Sequence, residues 1–286
     1  MTTATATPAT PATPAARTTA RPRPVADVIT MVRRSLRRAV RYPGLTVFLV
    51  VGPLVMLLLF VYVFGGAFGA GVAPGVAPGA EGRAAYLDYI TPTLLVITVV
   101  GGATSVATSA AMDAAGGIMA RFKTMAIAPG SVLSGQVIGF LVQALAALVL
   151  VLGAAVAMGY RPDADVLHWL ALLGLLVLLG LALNWVCVAM GLNAHSVETA
   201  SNMPLILLIL PFLGSGFVPV ETMPTAVRWF AEHQPFTPII ETTRGLLAGG
   251  QGLEGAVAVQ AVAWCVALGV AGYAWARSLY RRERRV

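Results

Sequence analysis

Charged side chains are scarce in this 286-residue sequence: Asp, Glu, Lys and Arg together make up 11% of it. A soluble domain carries about 25%, so twelve acids and nineteen bases cannot cover a globule of this size with a solvated surface. Cysteine is limited to Cys187 and Cys265, both inside apolar runs, which excludes an extracellular disulfide scaffold. Lysine occurs only at Lys123. What fills the chain instead is hydrophobic, at 58%, with a mean hydropathy of +0.82. Six apolar runs approach or exceed the roughly 20 residues that a bilayer requires. They are Leu45–Phe64, Tyr89–Ala111, Val132–Met158, Val166–Met190, Met203–Val218 and Ala256–Ala276. The fifth is short and carries Pro204 and Pro211. The expected fold is an all-α polytopic membrane protein with six transmembrane helices, placed as a multi-pass protein in the plasma membrane.

The net charge of +7 does not point to nucleic acid. Most of the arginines fall in two short segments beside apolar runs, which is the pattern of a membrane surface. Basic residues also orient the chain. The segment before Leu45, the second-to-third connection and the tail carry fifteen of them; the opposite connections carry four, Arg83, Arg161, Arg228 and Arg244. Both termini are therefore expected in the cytoplasm.

The organisation reads as follows. Residues 1–24 are a Thr/Ala/Pro-rich tail, expected to be disordered, and 45–277 form the transmembrane domain, followed by a basic tail at 278–286. Residues 25–44 hold an amphipathic helix. Val25, Val28, Ile29, Val32 and Leu36 make one stripe, while Arg33, Arg34, Arg37 and Arg38 take the other faces, so this helix is expected in the headgroup plane.

Two connections stand out. In the cytoplasmic segment 113–130, Ile118, Phe122 and Met125 recur at helical spacing, with Arg121 and Lys123 pointing elsewhere and Pro129 stopping the helix. Its apolar face needs a cover, either the bundle itself or a cytoplasmic partner. Gly117 followed by Lys123-Thr124 imitates a phosphate-binding loop, but Phe122 replaces the inner glycine and no strand precedes it. In the external segment 219–255, Pro224 and Pro238 each open a short helix, the first ending near Gln234 and the second at Ala248. Trp229 and Phe230 suit a membrane interface, and Glu241 and Arg244 lie one turn apart and can pair. The two helices are expected to dip into the outer leaflet.

Other reactive groups read as structural. His195 and Glu198 lack further ligands for a metal, and no metal site is expected. Ser215, with His233 as a distant base, has the look of an intramembrane serine nucleophile, though small residues in a packed span explain it better. Gly135 and Gly139 form a close-contact pair. Thr98, Thr104, Ser105, Gln143, Asn184 and Gln260 are candidate pathway residues or helix–helix hydrogen bonds.

The chain resembles the permease subunits of type-2 ABC exporters, particularly those similar to daunorubicin-resistance proteins. The resemblance rests on the amphipathic helix before the first span, on Asp113, Gly117, Arg121-Phe122-Lys123, Met125 and Pro129, and on Phe217 to Pro224 followed by Phe230 to Pro235. It implies two permease copies forming the pathway and a separate nucleotide-binding ATPase that binds ATP and Mg²⁺; the chain itself carries no cofactor and no catalytic residue. It further implies that 113–130 and the amphipathic helix receive the ATPase movements. Pro219, Pro224, Trp229, Phe230, Pro235, Glu241 and Arg244 would belong to an external gate. The expected cargo is amphipathic, drug-like or lipid-like. The alternatives are an ion-coupled secondary transporter and an intramembrane hydrolase.

Overall fold

The computed structural model describes residues 24–41, 43–72, 79–115 and 129–282, and every regular element among them is helical. The order is α1 (Pro24–Arg41), α2 (Pro43–Leu58), a π-helical stretch (Leu59–Phe64) leading into α3 (Gly65–Val72), α4 (Ala80–Ala115), α5 (Pro129–Ala157) and α6 (Val166–Asn193). Then come α7 (Val197–Asn202), α8 (Leu205–Ile209), α9 (Thr225–His233), α10 (Phe236–Leu247) and α11 (Gly255–Arg282).

Among the described residues, five helices are long and apolar enough to cross a membrane: Val47–Gly69, Ala80–Ala115, Ser134–Ala157, Val166–Asn193 and Gly255–Leu279. The central post is α4. Its apolar stretch is mostly buried, and α2, α3, α5, α6 and α10 all pack on it. At 36 residues it is about 54 Å long, well over the roughly 30 Å of hydrocarbon. The expected run Tyr89–Ala111 covers only its middle, because Glu81, Arg83 and Asp88 break the apolar pattern at one end without breaking the helix. α2 and α11 sit at the periphery with most of their apolar surface outward, as lipid-facing helices do.

Met203–Val218 differs from a regular span. The apolar stretch there is Val197–Leu213, divided into α7, α8 and a 3₁₀ turn over Leu210–Leu213, and it falls short of a spanning helix by length. Pro204 precedes α8, Pro211 lies in the 3₁₀ turn, and Gly214 is extended at φ −114°, ψ −166°. Each proline removes a donor and blocks a regular ladder. The broken segment still travels. A Cβ on Gly191, before it, would collide with the Ala107 backbone of α4, whereas Gly216 lies against Thr93. Those levels are roughly fourteen residues of α4 apart, about 21 Å.

Two polar layers mark the ends of the bundle. One contains Arg34, Asp113 and Gln136. The other contains Tyr89, Ser215 and Arg244, with the Asp163 N–H donating to Leu247 O at 3.0 Å nearby. Between them α4 buries Leu94 to Val100, an apolar stretch interrupted only by Thr98.

Candidate functional site

The first layer ties α1 to the start of the 113–130 segment. Asp113, two residues before the end of α4, is 1% exposed. The Arg34 Nη2 donates to its Oδ1 at 3.3 Å, and the Gln136 Nε2 donates to its Oδ2 at 2.6 Å. A buried carboxylate needs such partners, since an uncompensated charge away from water is costly. α1, α4 and α5 therefore meet at one acid.

α1 also lies directly along α5. A Cβ on Gly135 would collide with the Met31 side chain, and one on Gly139 would meet Ser35 Oγ at 2.7 Å. The glycine pair is thus a contact face, and its partner is the amphipathic helix. Gln143, one turn further on, donates to Ser35 Oγ at 3.3 Å and to Gly139 O at 3.2 Å. Arg33 and Arg37 face outward, while the Arg38 side chain and residues 116–128 lie outside the described residues. Gly117, Ile118, Arg121, Phe122, Lys123 and Met125 fall in that stretch; Pro129 opens α5.

The second layer holds the unwound backbone at 214–217. Non-helical backbone at membrane depth is tolerated only where its polar groups find partners. Here they do. Tyr89 OH donates to Ser215 O at 2.7 Å, Thr93 Oγ1 to Gly216 O at 2.8 Å and Tyr86 OH to Phe217 O at 3.3 Å. Arg244 Nη2 adds a second donor to Ser215 O at 3.0 Å and its guanidinium sits 4.0 Å over the Tyr89 ring. The expected Glu241–Arg244 ion pair is therefore corrected: Arg244 turns to Ser215 and Tyr89 instead. Burial pushes the Glu241 carboxyl above its usual range, with the Arg244 charge pulling the other way. Phe217 closes the layer, stacked on Phe212 at 4.5 Å and tilted against Phe60 of the π-helical stretch at 4.8 Å.

The two helices of the 219–255 segment divide their work. α10 is almost entirely buried against α4, α6 and α11 rather than lying at a surface. α9 stays outside, with Trp229 64% exposed and stacked on His233. Both begin close to the expected prolines: α9 directly after Pro224, α10 after Pro235 and so two residues ahead of Pro238. Pro219 precedes a short 3₁₀ turn, Val220–Thr222, and Phe230 is partly exposed.

A serine hydrolase has no geometry here. Ser215 Oγ is buried without a hydrogen-bond partner, and His233 Nδ1 is 2.7 Å from Trp229 O on the exposed α9. The pathway candidates are not gathered on one lining. Thr98 and Thr104 donate to carbonyls of their own helix, Gln143 bonds α1, and Asn184 donates to Val137 O of α5 at 3.0 Å. Ser105 is half-buried and Gln260 is exposed on α11. His195 is exposed just before α7 and Glu198 lies within it, and no group of three His, Cys, Asp or Glu that would suit a metal occurs among the described residues. The Arg34–Asp113 link and the support of the 215–217 carbonyls were missed by sequence reasoning, because their partners lie far apart in the chain.

Comparison with known proteins bears on both layers. The family model described as ABC-2 type transporter matches residues 26–248, from α1 through α10. The chain is 28% identical over 234 residues to a daunorubicin resistance ABC transporter permease protein of Streptomyces coeruleorubidus, covering 82% of this chain and 79% of that one. It is 24% identical over 161 residues to a probable doxorubicin resistance ABC transporter permease protein of Mycobacterium tuberculosis, covering 56% of this chain and 58% of the relative.

Proposed function

The chain belongs to the ABC-2 type transporter family, and from that premise we propose that it is the membrane half of an exporter for amphipathic, drug-like or lipid-like cargo. As a permease it is a multi-pass cell-membrane transport subunit without a catalytic domain. ATP and Mg²⁺ would be bound by a separate ATPase chain, and a second permease copy would complete the pathway. Drug export is supported by the relatives named for daunorubicin and doxorubicin resistance.

The observation that carries the reading is the match from residue 26 to 248, which takes in both polar layers. In this reading the cytoplasmic segment 113–130, through Asp113, Gly117, Ile118, Arg121, Phe122, Lys123, Met125 and Pro129, meets the ATPase. Its movement would pass to α1 through Arg34 and to α5 through Gln136. The 219–255 segment would form an external gate supported by α4. The chain would cross six times with both termini inside, the broken 197–218 segment being the fifth crossing. Its rise of about 21 Å along α4 and the basic asymmetry both support that count.

The test is copurification. A tagged full-length chain isolated from its native membrane should bring down a nucleotide-binding chain with a complete phosphate-binding loop. Recovery of the permease alone under conditions that preserve other ABC complexes would count against the assignment.

A further inference from the structure

We propose that the outer face of α1 is a binding surface for anionic phospholipid headgroups, carried by Arg33, Arg37 and Arg41. The inference rests on the membrane reading alone and is independent of cargo and ATPase.

α1 divides its arginines between two faces. Arg34 turns toward the bundle and Asp113. Arg33, Arg37 and Arg41 recur every four residues and so form a single stripe. Arg33 and Arg37 lie roughly opposite the face that Met31 and Ser35 press on α5. All three stripe residues are exposed, and none makes an ion pair among the described residues. Like charges one turn apart repel within a helix, so this stripe needs anions from outside the chain.

Depth decides which anions. Arg41 lies four residues before Leu45, where the first apolar run begins, so even a fully extended link keeps it within about 14 Å of the hydrocarbon. At its middle, α1 is packed on Gly135 and Gly139, which lie in the first turns of the apolar helix Ser134–Ala157. Arg33 and Arg37 therefore stand beside the first turns of that span. Ile29, one turn before Arg33 and expected on the apolar stripe, is instead 62% exposed beside the arginines. An aliphatic side chain followed by guanidinium groups fits the boundary between acyl chains and phosphates. The planar guanidinium also matches phosphate oxygens with two parallel hydrogen bonds, which favours phosphate-bearing headgroups of net negative charge.

The experiment uses the purified full chain in detergent with added phosphatidylglycerol or phosphatidylcholine, read by native mass spectrometry and thermal unfolding. The wild-type chain should retain and be stabilised by phosphatidylglycerol over phosphatidylcholine. The Arg33→Gln/Arg37→Gln/Arg41→Gln variant should lose about fivefold of that preference per arginine. An Arg161→Gln/Arg228→Gln variant, altered in the other connections, should keep it. Equal retention of both lipids by the wild type, or an unchanged preference in the triple variant, overturns the proposal. So does equal stabilisation by inorganic phosphate. Loss of ATPase copurification in the triple variant with lipid preference intact would assign the stripe to a protein partner instead and also overturns it. Should the triple variant fail to fold, the wild type decides: its phosphatidylglycerol stabilisation should shrink in 0.5 M NaCl, as screened exposed charges require, and salt-independent stabilisation overturns the proposal.

Discussion

Asp113 takes its importance from where it sits: a 1%-exposed carboxylate two residues from the end of α4, held by one side chain from α1 and one from α5. Asp113→Asn keeps the size and removes the charge. The loss should be about 1–2 kcal/mol, below the usual figure for a broken buried pair because the Arg34 side chain is 37% exposed. Thermal unfolding of the purified chain measures it, and a double-mutant cycle with Arg34→Gln should show coupling; additive effects would dismiss the link. Phe122 is the neighbouring residue to test, as the largest side chain on the apolar face of the cytoplasmic segment. Phe122→Asp should leave the protein inserted and impair transport, since losing an aromatic anchor from an interface costs on the order of 2 kcal/mol or more. Normal export and normal ATPase copurification would remove the docking role. The sequence marked both residues, but only one of their contexts was legible. Phe122 belongs to a local period that any reader can count, whereas the partner of Asp113 lies 79 residues away in a helix whose arginines all look solvent-facing.

Among the elements, α1 was legible as an amphipathic helix because its stripe and its arginines repeat within the segment itself. Its seat was not. The Gly135–Gly139 pair signals a close contact without naming the partner, and only packing identifies Met31 and Ser35. Gly135→Leu with Gly139→Leu should therefore lift α1 off α5. The readout is a cross-link by a short bismaleimide between Ser35→Cys and Gln143→Cys, at positions whose native side chains touch at 3.3 Å. It should form readily in the parent and be lost in the leucine variant, with Cys187 and Cys265 silent because both are buried. Undiminished cross-linking would show that the glycines do not seat the helix. The broken 197–218 segment was legible in part. Pro204 and Pro211 announce an interruption, but the carbonyl donors Tyr86, Tyr89, Thr93 and Arg244 that make it tolerable come from α4 and α10. The length of α4 was hidden for a different reason: a helix can continue past the apolar boundary, and hydropathy reports only the boundary.

On the scale of the whole molecule, orientation and energy source are the two open mechanical statements. The proposed topology, drawn from the basic asymmetry, puts 219–255 outside. A probe cysteine belongs at Gln251 rather than at Gly250, whose φ of +88° and closeness to His168 Nε2 would strain any side chain. Gln251→Cys should react with an impermeant label from outside the cell while Arg121→Cys is protected; the reverse pattern would invert the topology. Energy is the deeper question. A proton-driven exporter keeps a titrating group facing its pathway, and ionisable residues inside a membrane are retained for such work. Here the acids of α4 stand near its ends, at Glu81, Asp88 and Asp113, and Asp113 is committed to Arg34 and Gln136. His168 at the start of α6 is held by the Asp165 cap, whose carboxyl the His168 backbone N–H keeps below its usual range. Between these ends the buried polar groups of α4 that bond within their own helix, Thr91 and Thr98, are hydroxyls and do not titrate. Under the proposed function the motor is the partner ATPase. Proteoliposomes holding the chain and its ATPase should export cargo only with ATP and Mg²⁺, and the chain alone should move nothing down an imposed proton gradient. Gradient-driven transport by the chain alone would replace the ATPase-coupled mechanism with an ion-coupled one.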